Sequence, residues 1–192
     1  MRLMNMEHMT KPYGPLMYEH RIIEQMAALM KQEVEVIRKE GKVDPHFIDV
    51  AVGFIRTYAD KCHHGKEEDI LFKRLESKPL SEQHRKIINE LIEEHKIARK
   101  AVAGLLDAKE RYVKGDADAL EEIRSLLLNL NELYMTHIEK EDKHCFIEVM
   151  QYFSEEEQRK MTEDMWEFDR KMIHTEYKDK VDEVKKEMSH HT

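Results

Sequence analysis

The chain has 192 residues, enough for one domain with a real core, and a net charge of −8 with 38% of residues charged. No basic patch stands out for phosphates, which argues against nucleic acid as a partner. Two cysteines, Cys62 and Cys145, form no CxxC pair, which implies free thiols in a reducing, cytoplasmic compartment. No apolar run approaches the roughly 20 residues of a membrane span, and the opening MRLMNMEHMTKPYGPLM lacks the apolar core of a signal peptide.

Only 6 Gly and 4 Pro punctuate long runs of Glu, Lys, Leu, Met and Ala, a composition of long helices. Residues 1–14 read as an N-terminal arm. Gly14-Pro15 then opens a first helix, with proline in a favourable first-turn position, and Gly41 stops it after Glu40. Ile22, Ile23, Met26, Leu29, Met30 and Ile37 mark its apolar face. Asp44-Pro45 caps a second helix running to about Glu76, where Ser-Lys-Pro at Pro79 ends it. Ser81 caps a third, ending near Lys114-Gly115. Asp116 or Asp118 starts a fourth that reaches about Tyr152, with Leu126, Leu127, Leu130, Leu133 and Tyr134 on its apolar face. Ser154 and Glu157 form a capping box for a fifth helix reaching about Met188. Short connections between long helices make antiparallel neighbours. The expected fold is all-α: an up-down-up-down four-helix bundle over 15–152 with an additional C-terminal helix over 153–192. That last helix, carrying Trp166 and Phe168 among many charges, packs outside the bundle or serves a homodimer or partner protein.

Twelve histidines are the unusual entry in the composition. HHGKEEDILF from His63 and HIEKEDKHCF from His137 share His-x-x-x-Glu, a following acidic residue and Phe at one offset, and each is preceded by a Glu-His pair, Glu19-His20 or Glu94-His95. His20 lies 21 positions before Gly41 and His63 lies 22 after it; His95 lies 20 before Gly115 and His137 lies 22 after it. The chain thus reads as two helix hairpins of one design. In each, the histidines sit within about 3 Å of the same height. Residues i and i+4 share a helix face, so His63 with Glu67, and His137 with Glu141, present nitrogen and oxygen to one interior point. His64 with Glu68 offers the same spacing. The match to His137 and Glu141 favours His63 and Glu67, leaving Glu68 and Asp142 to water or a supporting role. Glu24 follows His20 by four but has Arg99 as its counterpart. His84 lies about 16 Å along the helix from His95 and cannot reach the same metal. His144 reads as a supporting or solvent-facing residue, and His8, His46 and His174 as surface groups. Tyr58 and Tyr134 are candidates to line a ligand pocket, and the two cysteines flank the motifs as thiols open to oxidation.

Four imidazoles and two carboxylates suit iron or manganese better than structural zinc. With both carboxylates bridging two metals and two histidines on each, every metal has four protein ligands. An oxo or hydroxo bridge makes five, leaving one position open for O₂, NO or peroxide.

These motifs resemble those of the hemerythrin-like, HHE cation-binding family, with similarity over about residues 15–152. The resemblance implies a non-haem centre of two iron ions (Fe²⁺/Fe³⁺, oxo- or hydroxo-bridged) in a four-helix bundle, with manganese or zinc as substitutes. It also implies the ligands His20, His63, Glu67, His95, His137 and Glu141. Oxygen-carrying members use a fifth histidine one turn from the third-helix ligand; Leu91 and Arg99 stand at those positions here. The six-ligand set is similar to that of members linked to repair of iron centres. The resemblance implies a protein that binds O₂ or NO for sensing, storage or delivery. The alternative is a di-iron enzyme or repair factor acting on NO, peroxide or iron release.

Overall fold

A computed structural model describes residues 10–189. Its regular structure is helical throughout, with no strand among the described residues. Helix α1 spans Tyr13–Glu40, α2 residues 45–75, α3 Glu82–Val113, α4 Ala119–His144, the short α5 Phe146–Val149 and α6 Glu155–Ser189.

The punctuation acts through identifiable groups. Gly41 ends α1 at φ 67°, in the left-handed region that glycine enters without steric cost, and its N–H donates to the Ile37 carbonyl. The Asp44 side chain accepts from the His46 N–H at 2.9 Å, with Pro45 in the first turn. Ser81 accepts from the His84 N–H at 3.1 Å. Ser154 and Glu157 close their capping box reciprocally, at 3.2 and 2.8 Å. Near Tyr152 the expectation is refined: α4 stops at His144, Cys145 breaks the helix at φ −129°, ψ −73°, and α5 with a 3₁₀ turn completes the stretch.

Helices α1 to α4 each pack on the next in sequence, α1 packs on α4, closing the bundle, and α6 packs on the outside of α2. The buried stripe of α1 is Ile23, Ala27, Met30, Val34 and Ile37; Leu29 of the expected face points outward instead. Two apolar clusters fill the interior. One, toward Gly41 and Gly115, gathers Ile23, Met30, Val52, Val102, Leu105, Leu127 and Leu130. The other, at the far end, gathers Leu16, Leu71, Phe72, Leu91, Phe146 and Val149, together with Met161 and Met165 of α6. Burying such side chains contributes about 1.5–3 kcal/mol each. Buried His and Glu residues separate the two clusters. The C-terminal helix expected from the sequence, α6, therefore packs on the bundle, one of its two expected roles.

Helix α2 is not a regular α-helix. Residues Ile55–His64 and Glu67–Phe72 wind as π-helix, and the Gly65 N–H reaches back five residues to the Asp60 carbonyl. Such wide turns are rare and cluster at functional sites. The wider turn lets Cys62, His63 and His64 all be buried in succession.

Candidate metal centre

All six residues singled out from the sequence converge in the layer between the apolar clusters. His20 from α1, His63 and Glu67 from α2, His95 from α3, and His137 and Glu141 from α4 are each at most 3% exposed. The Nε2 atoms of His20 and His63 face each other at 3.0 Å, and those of His95 and His137 at 3.2 Å. Two nitrogens at right angles on one metal, each about 2.1 Å from it, stand about 3.0 Å apart.

The outer nitrogen of every ring is tied to a carboxylate. Nδ1 of His20 donates to Asp142 at 2.7 Å, that of His63 to Glu19 at 2.9 Å, that of His95 to Glu68 at 2.7 Å and that of His137 to Glu94 at 2.8 Å. These bonds fix the tautomer and aim a lone pair inward from each Nε2. Two lone pairs at 3 Å repel unless a cation, proton or metal lies between them.

Each central carboxylate spans both histidine pairs. Glu67 places one oxygen 3.3 Å from His63 Nε2 and the other 3.3 Å from His95 Nε2. Glu141 places one 3.2 Å from His137 Nε2 and the other 3.1 Å from His20 Nε2. None of these four buried oxygens meets hydrogen-bond geometry with any donor. Buried carboxylate oxygens close to imidazole nitrogens yet outside hydrogen-bond geometry suit a cation, since an isolated buried carboxylate would be costly. The donor atoms of His20, His63, Glu67 and Glu141 lie within 4.8 Å of one another, so this group and its counterpart around His95 and His137 can hold metal ions.

Without metal the cluster holds protons. Burial disfavours charge on His20, but its bond to Asp142 and the nearby Glu141 carboxylate prevail and raise its pKa to about 9. Burial likewise opposes the raised pKa of His137, where the Glu141 charge and the Glu141 and Glu94 contacts win and lift it to about 10. Burial pushes Glu141 upward, yet His137 and His20 together hold it well below the usual carboxylate range.

The internal repeat extends to partners that sequence reasoning left without a role. Glu19 and Glu94, the first residues of the Glu-His pairs, orient the histidine of the following helix. Lys66 and Lys140, each three residues after a ligand histidine, neutralise them: Lys66 Nζ donates to Glu19, and Lys140 Nζ to Glu94 at 2.5 Å. The shared H-x-x-K-E pattern was the available signal. Glu68 and Asp142 prove to be supporting residues, further held by Arg99 and Arg21. Lys66, with no exposed surface, also donates to Asp169 of α6 at 2.6 Å, and Asp169 accepts from the Cys62 thiol at 3.4 Å. Gly65 permits this contact, since a Cβ there would stand 2.8 Å from the Phe168 ring.

His64 also faces inward, and the distance criterion groups it with Glu67, His95 and His137. Its ring, however, stacks on His95 with centroids 3.8 Å apart and planes 13° apart. His64 therefore shares the buried space of this group with the face of its ring laid on His95. Glu24 instead pairs with Arg21 at 3.1 Å. His84 joins Tyr152 and Glu148, at 2.8 and 3.0 Å. His46, His144 and His174 are exposed, and His8 lies outside the described residues. Tyr134 borders a cavity beside the site, while Tyr58 stacks on Phe54 at 5.2 Å. Burial raises the Cys62 thiol to about 12 and pushes the Cys145 thiol upward as well, which favours the protonated form of both.

Compared with known families, residues 12–149 match the hemerythrin HHE cation binding domain. No curated protein and no solved structure gives a significant match. No described helix is long and apolar enough to cross a membrane.

Proposed function

The chain belongs to the hemerythrin HHE cation binding family, and from that premise we propose a two-metal centre, iron in both positions, that binds O₂ or NO reversibly. His20 and His63 would hold one ion and His95 and His137 the other, with Glu67 and Glu141 each offering an oxygen toward both pairs. The observation that carries this reading is the pair of inward-facing Nε2 couples, 3.0 and 3.2 Å apart, beside four carboxylate oxygens that lack donors. The ions would supply electrons and an open coordination position to a diatomic ligand; neutral N,O donors suit iron or manganese.

The protein's part is to hold that position dry and fixed. Leu91, fully buried, stands one turn before His95 where a fifth histidine would close a metal's coordination, so the two histidine pairs stay balanced. The Nδ1 carboxylates keep each imidazole correctly turned, with Nε2 facing inward, and Lys66 and Lys140 hold Glu19 and Glu94 in place. Association with a second copy or a partner protein through α6, where Trp166 and Ile173 remain half exposed, belongs to the same reading.

The test is anaerobic loading with Fe(II), a metal-to-protein ratio, and optical spectra before and after NO or air. About two irons per chain and an adduct that reverses when the gas is removed are expected. Glu67→Ala and His137→Ala each retain one iron or none. Full metal content in both variants would refute the ligand assignment. Steady consumption of the gas would move the reading to an enzyme.

A further inference from the structure

Helix α1 carries a second stripe, outside the bundle. Its inward stripe steps from Leu16 through His20, Ile23, Ala27 and Met30 to Val34. Tyr18, Ile22, Gln25, Leu29, Gln32 and Val36 repeat in the same steps of four and three on the outer side. Tyr18 is 53% exposed, Leu29 45% and Val36 38%. Ile22 is half-buried and both glutamines are exposed. Alternating steps of four and three average about 3.5 residues, the spacing that keeps one seam against a partner helix along its whole length. From Tyr18 to Val36 that length is about 27 Å. No charge falls on the seam, although 38% of the chain is charged.

We propose that this seam pairs with the same seam of a second copy, the two α1 helices running antiparallel. The seam is symmetric about Ala27: Tyr18, Ile22 and Gln25 lie as far before it as Val36, Gln32 and Leu29 lie after it. A twofold antiparallel pairing therefore sets Tyr18 beside the partner's Val36, Ile22 beside the partner's Gln32 and Gln25 beside the partner's Leu29, with no break in register. The charges flanking the seam agree. In antiparallel helices each flank meets its own counterpart. Arg21 and Glu35 share one flank, each seven residues from Ala28, so Arg21 meets the partner's Glu35 at both ends. Both side chains are about half exposed; within one copy Arg21 pairs with Asp142 and Glu24, and Glu35 with Arg38, so the new contact extends those networks. On the other flank Met26 meets the partner's Met26. Glu33 there falls near the partner's Glu19, whose carboxylate is turned inward to His63 and Lys66. A parallel pair would instead bring Glu35 to the partner's Glu40, a like-charge contact. Six seam residues and four flank residues are fewer than the 20–30 a side of a standard interface, so the dimer is weak, with a dissociation constant on the order of 10 µM. The pairing needs no metal, and it leaves the half-exposed Trp166 and Ile173 of α6 to a different partner.

Sedimentation velocity of the full chain, over concentrations spanning that constant, tests the pairing. Wild type passes from monomer to dimer. Leu29→Glu weakens the dimer at least tenfold, while its urea midpoint at low concentration matches wild type, because the side chain is on the monomer's surface. Trp166→Glu, the same charge placed on α6, leaves the dimer intact. Arg21→Glu and Glu35→Arg each set like charges against one another and weaken self-association about fivefold; mixed in equal amounts they form a heterodimer near wild-type affinity, since each then meets its opposite. Wild type that stays monomeric throughout overturns the proposal, and so does Leu29→Glu that dimerises as wild type does. Glu35→Arg that strengthens self-association shows a parallel pair and overturns the antiparallel one. A dimer lost in Trp166→Glu but kept in Leu29→Glu places the contact on α6 and overturns it as well.

Discussion

Replacing Lys66 with methionine gives the sharpest test of how α6 is fixed to the centre. The ammonium has no exposed surface and joins Glu19 of α1 to Asp169 of α6. Methionine keeps most of the apolar stem and removes the charge, leaving two carboxylates facing each other. Removing one partner of a buried pair costs about 3–5 kcal/mol. Asp169 keeps 24% of its side chain in water and Glu19 keeps its bond from His63, so the lower end, about 3 kcal/mol, applies. With a urea slope of about 2 kcal/mol per molar, the midpoint falls by roughly 1.5 M. Urea unfolding of metal-stripped protein measures this directly. Limited proteolysis reports the second consequence, faster cleavage within α6. The double variant Lys66→Met with Asp169→Asn recovers part of the loss, since one of the stranded charges is gone. A midpoint within about 0.5 M of wild type, with α6 equally protected, would refute the argument.

Three further outcomes follow from the same physics. In metal-stripped protein, the raised pKa values of His20 and His137 contribute stability that is complete below the unfolded histidine value of about 6.5 and is lost as pH rises through about 9 to 10. The urea midpoint therefore declines from pH 6.5 to 10 while metal affinity rises as competing protons leave; a flat profile over that interval contradicts the cluster described. Gly53→Ala, in open space within helix, stabilises by about 0.5–1 kcal/mol. Gly65→Ala, facing Phe168 at 2.8 Å, destabilises by about 1 kcal/mol unless Phe168 is also truncated, as a double-mutant cycle in urea would show.

Much of this arrangement was legible because helices write their geometry into spacing. Caps at Asp44, Ser81 and Ser154 and the stop at Gly41 are local, so they read directly. The four histidines and two glutamates read from i, i+4 spacing and from equal distances to the turns. Two features escaped. The π-wound α2 has no strong local signature, so the sequence offered His63 and His64 as alternatives where the fold buries both. The Lys66–Asp169 link joins residues 103 positions apart, and only tertiary packing sets that register. The apolar face of α1 was misjudged at Leu29 because one-dimensional periodicity does not locate a neighbouring helix.

The wide turns of α2 make residue count, beside the identities of His63, Lys66 and Glu67, an inherited constraint between Ile55 and Phe72. The exposed side chains there can be exchanged for others of like character with local effect. Deleting one residue while the segment keeps its wide winding would rotate everything downstream by about 80–100°. Glu67 would leave His95, and Leu71, Phe72 and Leu75 would turn from the core toward water. A lineage carrying this geometry can drift in sequence along the segment, but a single-codon deletion within it dismantles the centre and the far end of the bundle together.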